Sequence, residues 1–496
     1  MSGRNGLVGQ SPDASGLIED YAAFAADALA TGLPERRDRA VRAVLDTLGV
    51  AAAGIPAPVH RIATDVVRQW GRQDTATALG VAERLPAASA AFVNGVLAHC
   101  SDFDDTHLPS VLHPSSSVVP AALAAGEAAG APGPRLLDAV ELGTELTVRL
   151  GLAGYDRDRR DSVYFDRGLH ATSLCGAVGA AAAAALLSGR AEVIAAAAGI
   201  AASMGSGVLE SNRTGGSVKQ IHAGWAAHCG VAAAQLAGAG LTASPTVLEG
   251  RFGFLRAFCG PDADVEVVGA GLGELWHTDA VHIKPYPCNH FTHCGIDAAL
   301  ELRARGVRPE DVRELRLGVP APVLRTIAEP PAGKARPATG YAGAFSGPYT
   351  VAAALFGGGD LGLGAEDFTD AAVARPEVLA LAAKVVCQAD PECTAVFPDQ
   401  FPARLSALLA DGRTETVYVA TNRGGPRRRL ADADLDRKFA LNAGRAFAPA
   451  VAERLAARIR ALAQDATPAS VGALFRAAAG PPGPATVPEP VSQRRR

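Results

Sequence analysis

Residues 175–189 read CGAVGAAAAAALLSG and residues 193–207 read VIAAAAGIAASMGSG. Neither stretch has a polar face. A helix that is apolar all round belongs in an interior, and side chains this small let neighbouring backbones approach closely. The two stretches therefore predict helices in the middle of a bundle rather than on its surface. Working outward, Ala/Leu-rich segments of helical length recur at 17–31, 35–53, 87–100, 136–152, 169–187, 191–204 and 223–237, separated by Gly, Pro and Asp. The first half of the chain reads as helical.

Beyond residue 270 the texture changes. β-like runs at 312–319 (VRELRLGV) and 414–419 (TETVYV, after the turn-like Asp411-Gly412) are interspersed with helical patterns at 295–305, 344–356 and 371–386. Helix returns at 431–444, 448–463 and 469–479. This order predicts a mainly α fold: a large all-helical domain built from both chain ends (16–270 and 429–480), with a smaller inserted α+β lid domain at 271–428. Residues 1–15 and 481–496, polar or Pro/Gly-rich without period, read as disordered tails.

Composition removes several classes of function. The chain has 496 residues, 48% of them hydrophobic, and its 47 basic and 51 acidic residues leave a net charge of −4. No Lys/Arg stripe with interleaved aromatics offers nucleic acid a basic face. The longest apolar stretch, 177–187, is far short of the roughly 20 residues of a spanning helix. The first fifteen residues lack a signal-peptide pattern. The eight cysteines, scattered without CxxC pairs, suit free thiols in a reducing compartment. A soluble cytoplasmic protein with no membrane or nucleic-acid partner is expected. Two finer counts bear on chemistry. All eleven histidines lie between His60 and His293, and only five basic residues are lysine (219, 284, 334, 384 and 438). In a chain that writes its cations as arginine, a lysine is a candidate for a required compact charge.

The densest polar segment, 99–117, reads HCSDFDDTHLPSVLHPSSS. It holds Asp102, Asp104, Asp105, Thr106 and three histidines, then His113-Pro114 and three serines that open an apolar helix, an arrangement that presents unpaired N–H groups to an anion. A metal site or a solvated turn is the alternative. Segment 164–181 (YFDRGLHATSLCGAVGAA) places His170 at a helix entrance, where the helix dipole disfavours the imidazolium and leaves a neutral proton acceptor or a capping histidine. Segment 213–230 (RTGGSVKQIHAGWAAHCG) carries Lys219 and His222 after a glycine hinge but lacks GxxxxGK[ST]. In segment 281–298 (VHIKPYPCNHFTHCGIDA), Pro285 and Pro287 stiffen the chain around Lys284, as a crossing between domains requires. Cys288, His290, His293 and Cys294 lack the second ligand pair that zinc needs, so no metal is expected. Tyr349, behind Ser346-Gly347-Pro348, reads by default as a core tyrosine. With no nucleophile elbow and no credible cysteine triad, the residues point to general acid/base work on a small anionic molecule.

The strings DFDDTH (102–107), HPS (113–115), GGSVKQIHAGWAAHCG (215–230), LEGRFGFLRAF (248–258) and KPYPCNHFTH (284–293) resemble the MmgE/PrpD family. That family includes 2-methylcitrate dehydratase, cis-aconitate decarboxylase and iminodisuccinate epimerase. The resemblance implies a homodimer, no metal or organic cofactor, and a polycarboxylate substrate. By similarity to the decarboxylase branch the site falls on Asp102, Thr106, His113, His170, Lys219, Lys284 and Tyr349. In the roles it implies, Lys219, Lys284 and the helix entrance through Ser115 bind carboxylates, with Thr106 and His222 beside them. His113 and His170 exchange protons at carbon, Asp102 orients a partner, and Tyr349 assists a leaving hydroxyl or closes the lid. The preferred expectation is a 2-methylcitrate dehydratase-like hydro-lyase. The alternatives are a cis-aconitate decarboxylase-like carboxy-lyase, an iminodisuccinate-type epimerase, or a biosynthetic enzyme recruited to a related proton transfer.

Overall fold

The computed structural model describes residues 16–211 and 216–478. The expected tails and residues 212–215, which include the first glycine of the hinge before Lys219, lie outside the described residues. The fold is mainly α, at 58% helix. Its helices of nine residues or more are α1 (Leu17–Thr31), α2 (Arg37–Gly54), α3 (Pro58–Trp70), α4 (Ala87–His99), α5 (Ser115–Ala129), α6 (Gly133–Ala153), α7 (Ala171–Leu186), α8 (Ala191–Met204), α9 (His222–Gly238), α10 (His293–Ala304), α11 (Gly347–Phe356), α12 (Asp432–Ala443), α13 (Pro449–Ala461) and α14 (Ser470–Ala478). No single helix among the described residues is long and apolar enough to cross a membrane.

Helix α7 is the centre of the bundle, and all of its residues are buried. It packs against α5, α6, α8 and α9, while α9 also packs against α4. Glycine makes these approaches possible. A Cβ on Gly179 of α7 would stand 1.8 Å from Thr147 Oγ1 and 2.4 Å from the Gly143 carbonyl of α6, and one on Gly95 of α4 would stand 2.7 Å from Gly224 Cα of α9. Helix α8 is less enclosed than its composition implies: Ser203 is exposed and Ala195 and Ala196 are only partly covered.

The far end of the chain returns to this bundle. Leu435, Phe439, Leu455, Ile459, Leu474 and Phe475 share one core with Val44, Leu48, Val96 and Leu123. Between them lies a four-stranded sheet of order β6-β5-β7-β8, formed by β5 (Val312–Val319), β6 (Val385–Ala389), β7 (Ala403–Leu409) and β8 (Thr414–Val419). β5 and β6 are parallel and the other pairs antiparallel. Along β7 burial alternates, with Ala403, Leu405, Ala407 and Leu409 facing inward, the period-2 signature of a sheet covered on one face. Helices α10 and α11 supply the cover, and Leu108 from the polar segment enters the same core. A small ribbon joins the two regions: β1 (Thr106–His107) pairs antiparallel with β4 (Val281–His282), Thr106 opposite His282, while β2 (Tyr155–Asp156) and β3 (Asp161–Ser162) pair with each other. This ribbon brings the polar loop after α4 alongside the segment of Lys284.

Candidate active site

The site begins where α4 ends. The next turn puts Asp102 at φ 53°, a left-handed conformation that Asp tolerates better than most residues. Its carboxylate lies between two ammonium groups. Lys219 Nζ, from a 3₁₀ turn before α9, is 3.2 Å from Oδ1, and Lys284 Nζ, two residues beyond β4, is 3.3 Å from Oδ2. Lys284 also donates to the Asp102 carbonyl at 2.7 Å. All three side chains are buried. Burial alone would raise the Asp102 carboxyl, but Lys284 and Lys219 outweigh it and hold it well below the usual carboxylate range. Burial would likewise lower Lys219, yet Tyr341, Asp102 and Asp104 more than offset it, so the ammonium is held above its ordinary value. Behind the loop, Lys438 of α12 pairs with Asp46 of α2 at 2.5 Å and lies 3.9 Å from the Phe103 ring centroid, tying the loop to the returning end of the chain.

Four imidazoles surround this centre. His99 Nδ1 is 2.7 Å from Asp104 Oδ2. His113 Nδ1 donates to the Asp105 carbonyl at 2.6 Å and lies 3.2 Å from Thr106 Oγ1, while its backbone N–H donates to Thr172 Oγ1 at 3.1 Å. The carbonyl can only accept, which fixes His113 as the Nδ1–H tautomer when neutral and leaves Nε2 as its basic nitrogen. His170 is the N-cap residue of α7, and its Nδ1 meets His222 Nδ1 at 3.0 Å. Burial lowers His113 to about 4 and His222 to about 4. His170 is pushed well below the ordinary value by burial and by Lys219. These are neutral bases that become acids only when a negative charge arrives beside them.

Asp102, Thr106, His113, His170, Lys219, His222 and Lys284 are thus brought together. Two residues stand differently. Ser115 lies at the helix entrance, but its N–H donates to Asp105 Oδ1 at 3.1 Å and its hydroxyl to Asp105 Oδ2 at 2.5 Å. The anion expected at that entrance is therefore a carboxylate of the protein itself, and Asp105, chiefly through burial, is pushed up to about 7. Tyr349 is buried in the core over the sheet, its ring against Phe368 and its hydroxyl donating to the Asp367 carbonyl. The tyrosine in electrostatic contact with Lys219 is Tyr341, whose hydroxyl is pushed up by burial and by Asp102 and Asp104; its ring packs on Phe345, and Phe345 in turn lies 5.6 Å from Lys219 Nζ. Tyr341 had no motif to mark it. His99 and Asp104 were in plain view in the segment beginning at residue 99, but their pairing across five residues is visible only once the loop is folded.

Asp102, Asp104 and His113 each offer one ligand atom within 4.8 Å of the others. Two ammonium groups already neutralise Asp102, however, and a divalent cation there would meet their repulsion at close range. In the second cluster Cys288 Sγ meets Thr292 Oγ1 at 3.2 Å and His293 Nε2 meets the Cys288 carbonyl at 3.1 Å, while both ring nitrogens of His290 and Nδ1 of His293 are buried without a hydrogen-bond partner. The chemistry on offer is fixed positive charge for carboxylates, beside imidazoles that can give and take protons.

The MmgE/PrpD N-terminal domain matches residues 19–266 and the MmgE/PrpD C-terminal domain residues 286–464. Cis-aconitate decarboxylase of Homo sapiens is 30% identical over 418 residues, covering 82% of this chain and 83% of that protein. The Mus musculus enzyme of the same name is 30% identical over 419 residues, 82% of each chain. That of Aspergillus terreus is 30% identical over 405 residues, 76% of this chain and 80% of its own.

Proposed function

The chain belongs to the MmgE/PrpD family, and from that premise we propose that it is a lyase that decarboxylates a cis-aconitate-like tricarboxylate. The observation that carries the reading is the pair of buried ammonium groups on Asp102 with four imidazoles around them. Lys219 and Lys284 attract the substrate carboxylates, and Asp102 fixes both lysines in place. Incoming negative charge raises the basicity of His113, so that a ring lowered to about 4 in the free protein acquires a proton as substrate binds. The C–CO2 bond then breaks, its electron pair remains on the substrate carbon conjugated to the remaining groups, and His113 Nε2–H delivers a proton to carbon.

The named relatives favour this reading over the dehydratase preferred on sequence alone. The site favours it too. Dehydration needs an acid for a departing hydroxyl, and Tyr349, which the resemblance put forward for that task, spends its hydroxyl on a backbone carbonyl in the core. Decarboxylation needs only carboxylate binding and one proton at carbon.

The test is to incubate the purified protein separately with cis-aconitate, 2-methylcitrate, citrate and iminodisuccinate, following CO2 release, loss of water and change of optical rotation. CO2 from cis-aconitate is expected. Loss of water from 2-methylcitrate without CO2 from cis-aconitate returns the assignment to a dehydratase, and racemisation of iminodisuccinate alone returns it to an epimerase.

A further inference from the structure

His170 and His222 meet through like atoms, Nδ1 to Nδ1 at 3.0 Å. The backbone holds them there: His170 is the N-cap of α7, His222 opens α9, and Ser173 Oγ in the first turn of α7 donates to the His222 carbonyl at 3.1 Å. This contact differs in kind from those of the neighbouring rings. His99 Nδ1 faces the Asp104 carboxylate and His113 Nδ1 the Asp105 carbonyl. Burial would raise Asp104, but His99 and His113 outweigh it and keep it ionised. Both partners therefore only accept, so both rings carry a proton on Nδ1 and, when neutral, turn a bare Nε2 to their surroundings. An imidazole nitrogen can give a proton as well as accept one. When His222 Nδ1–H donates, His170 Nδ1 accepts, and the neutral His170 ring must then carry its proton on Nε2.

A polycarboxylate site has a use for such a ring. A bare nitrogen repels a carboxylate and an N–H binds it. Burial lowers both His113 and His170, but Asp104 and Asp102 pull His113 back up, so it is the ring that takes a charge as substrate arrives. His170 has no such help: burial, Lys219, His99, His222 and His113 all act against an imidazolium, as does its place at the N-terminus of α7. We infer that His222 is a positioning residue, whose Nδ1–H fixes His170 as the Nε2–H tautomer and so lets it bind a substrate carboxylate as a neutral donor alongside Lys219 and Lys284. The division of labour is then clear. His113 serves carbon, and His170, which the family resemblance puts forward for proton exchange, serves a carboxylate. The inference rests on the carboxylate substrate of the proposed function and not on which of its bonds breaks.

Nitrogen-15 shifts of labelled histidines test it in the wild-type protein saturated with propane-1,2,3-tricarboxylate, which has the carboxylates but no double bond to react. His222 should be protonated at Nδ1 and His170 at Nε2 alone. A proton on His170 Nδ1, in a neutral ring or an imidazolium, overturns the inference. Without ligand, one of the two Nδ1 atoms must still carry a proton, and both bare overturns it whatever the substrate. A tricarboxylate that calorimetry shows not to bind contradicts the substrate class instead. Kinetics separate positioning from packing. His222→Leu removes the donor and should raise KM for cis-aconitate about tenfold with kcat within about threefold, and His222→Asn, whose amide stands where Nδ1 stood, should recover most of that loss. A His222→Leu variant with wild-type KM, or two variants equally impaired, overturns the inference.

Discussion

Lys219→Met probes the charge centre at its most accessible partner. At 3.2 Å and an effective dielectric of about 20, the attraction between Lys219 and Asp102 is about 5 kcal/mol before desolvation is subtracted. Breaking a buried pair costs about 3–5 kcal/mol because the partner's charge is left uncompensated. Here Lys284 remains 3.3 Å from the same carboxylate, which places the loss near the lower end, about 3 kcal/mol in urea denaturation. Asp102→Asn should cost a similar amount, since it leaves two ammonium groups facing each other without their anion. The double variant removes one charge of each sign, so its loss should fall short of the sum by about 1–3 kcal/mol. Activity should not follow this recovery. A charge-assisted hydrogen bond to substrate contributes about 1.5–3 kcal/mol, so Lys219→Met and the double variant should both lose about 10- to 100-fold in kcat/KM. Additive stability losses, or full kcat/KM in Lys219→Met, would refute the reasoning.

Acid stability follows from the histidines. A ring whose folded pKa lies below its unfolded value of about 6.5 binds its proton preferentially in the unfolded chain, so each contributes stability that is lost as pH falls below that value, at about 1.4 kcal/mol per unit. His113, His222 and His282 at about 4, with His170, His290 and His293 also lowered, outnumber the carboxyls that burial raises, Asp105 to about 7 and Asp46 and Asp367 with it, which act in the opposite sense. The melting temperature should therefore drop steeply from pH 6.5 to 4, and a flat profile across that window contradicts the buried neutral rings. Tyr349→Phe should lose about 1 kcal/mol for one buried hydrogen bond and keep kcat/KM within about threefold, whereas Tyr341→Phe should lower kcat/KM about tenfold; steady-state kinetics on the two variants decide between the tyrosines. Gly179→Ala forces α7 away from Thr147 and Gly143 and should cost more than about 2 kcal/mol by thermal melting.

The bundle was legible because its signal is local. Composition alone marked α1 and α8 to the residue and α7 to within two, since Ala/Leu-rich runs bounded by Gly, Pro and Asp carry their helical signal locally. The strand runs at 312–319 and 414–419 are β5 and β8 as read. What escaped was set by distant partners. β7 (ARLSALL) is written in good helix formers and is a strand because β5 and β8 flank it. Residues 385 and 386, read as the end of a helix, open β6, which exists through its parallel pairing with β5. Helix α3 is rich in β-branched residues and lies outside the Ala/Leu-rich segments, although Pro58 at its start and the helical spacing of Val59, Ala63 and Val67 mark it. In the site, the residue types around Asp102 were visible, but the contact between Asp102 and Lys284 spans 182 positions and no spacing rule reaches that far. Tyr349 rests on the resemblance alone, the residues around it reading as core, while Tyr341 stands near Lys219 only through the folding of the segment from 340 to 346.

The most direct test of the account is the product formed from cis-aconitate in deuterated water. If imidazoles recharged from solvent deliver the proton, each molecule of CO2 released should be matched by one deuterium on the product carbon, in a single configuration, and His113→Ala should abolish both. Product carrying no deuterium, or CO2 release unchanged in His113→Ala, would contradict it.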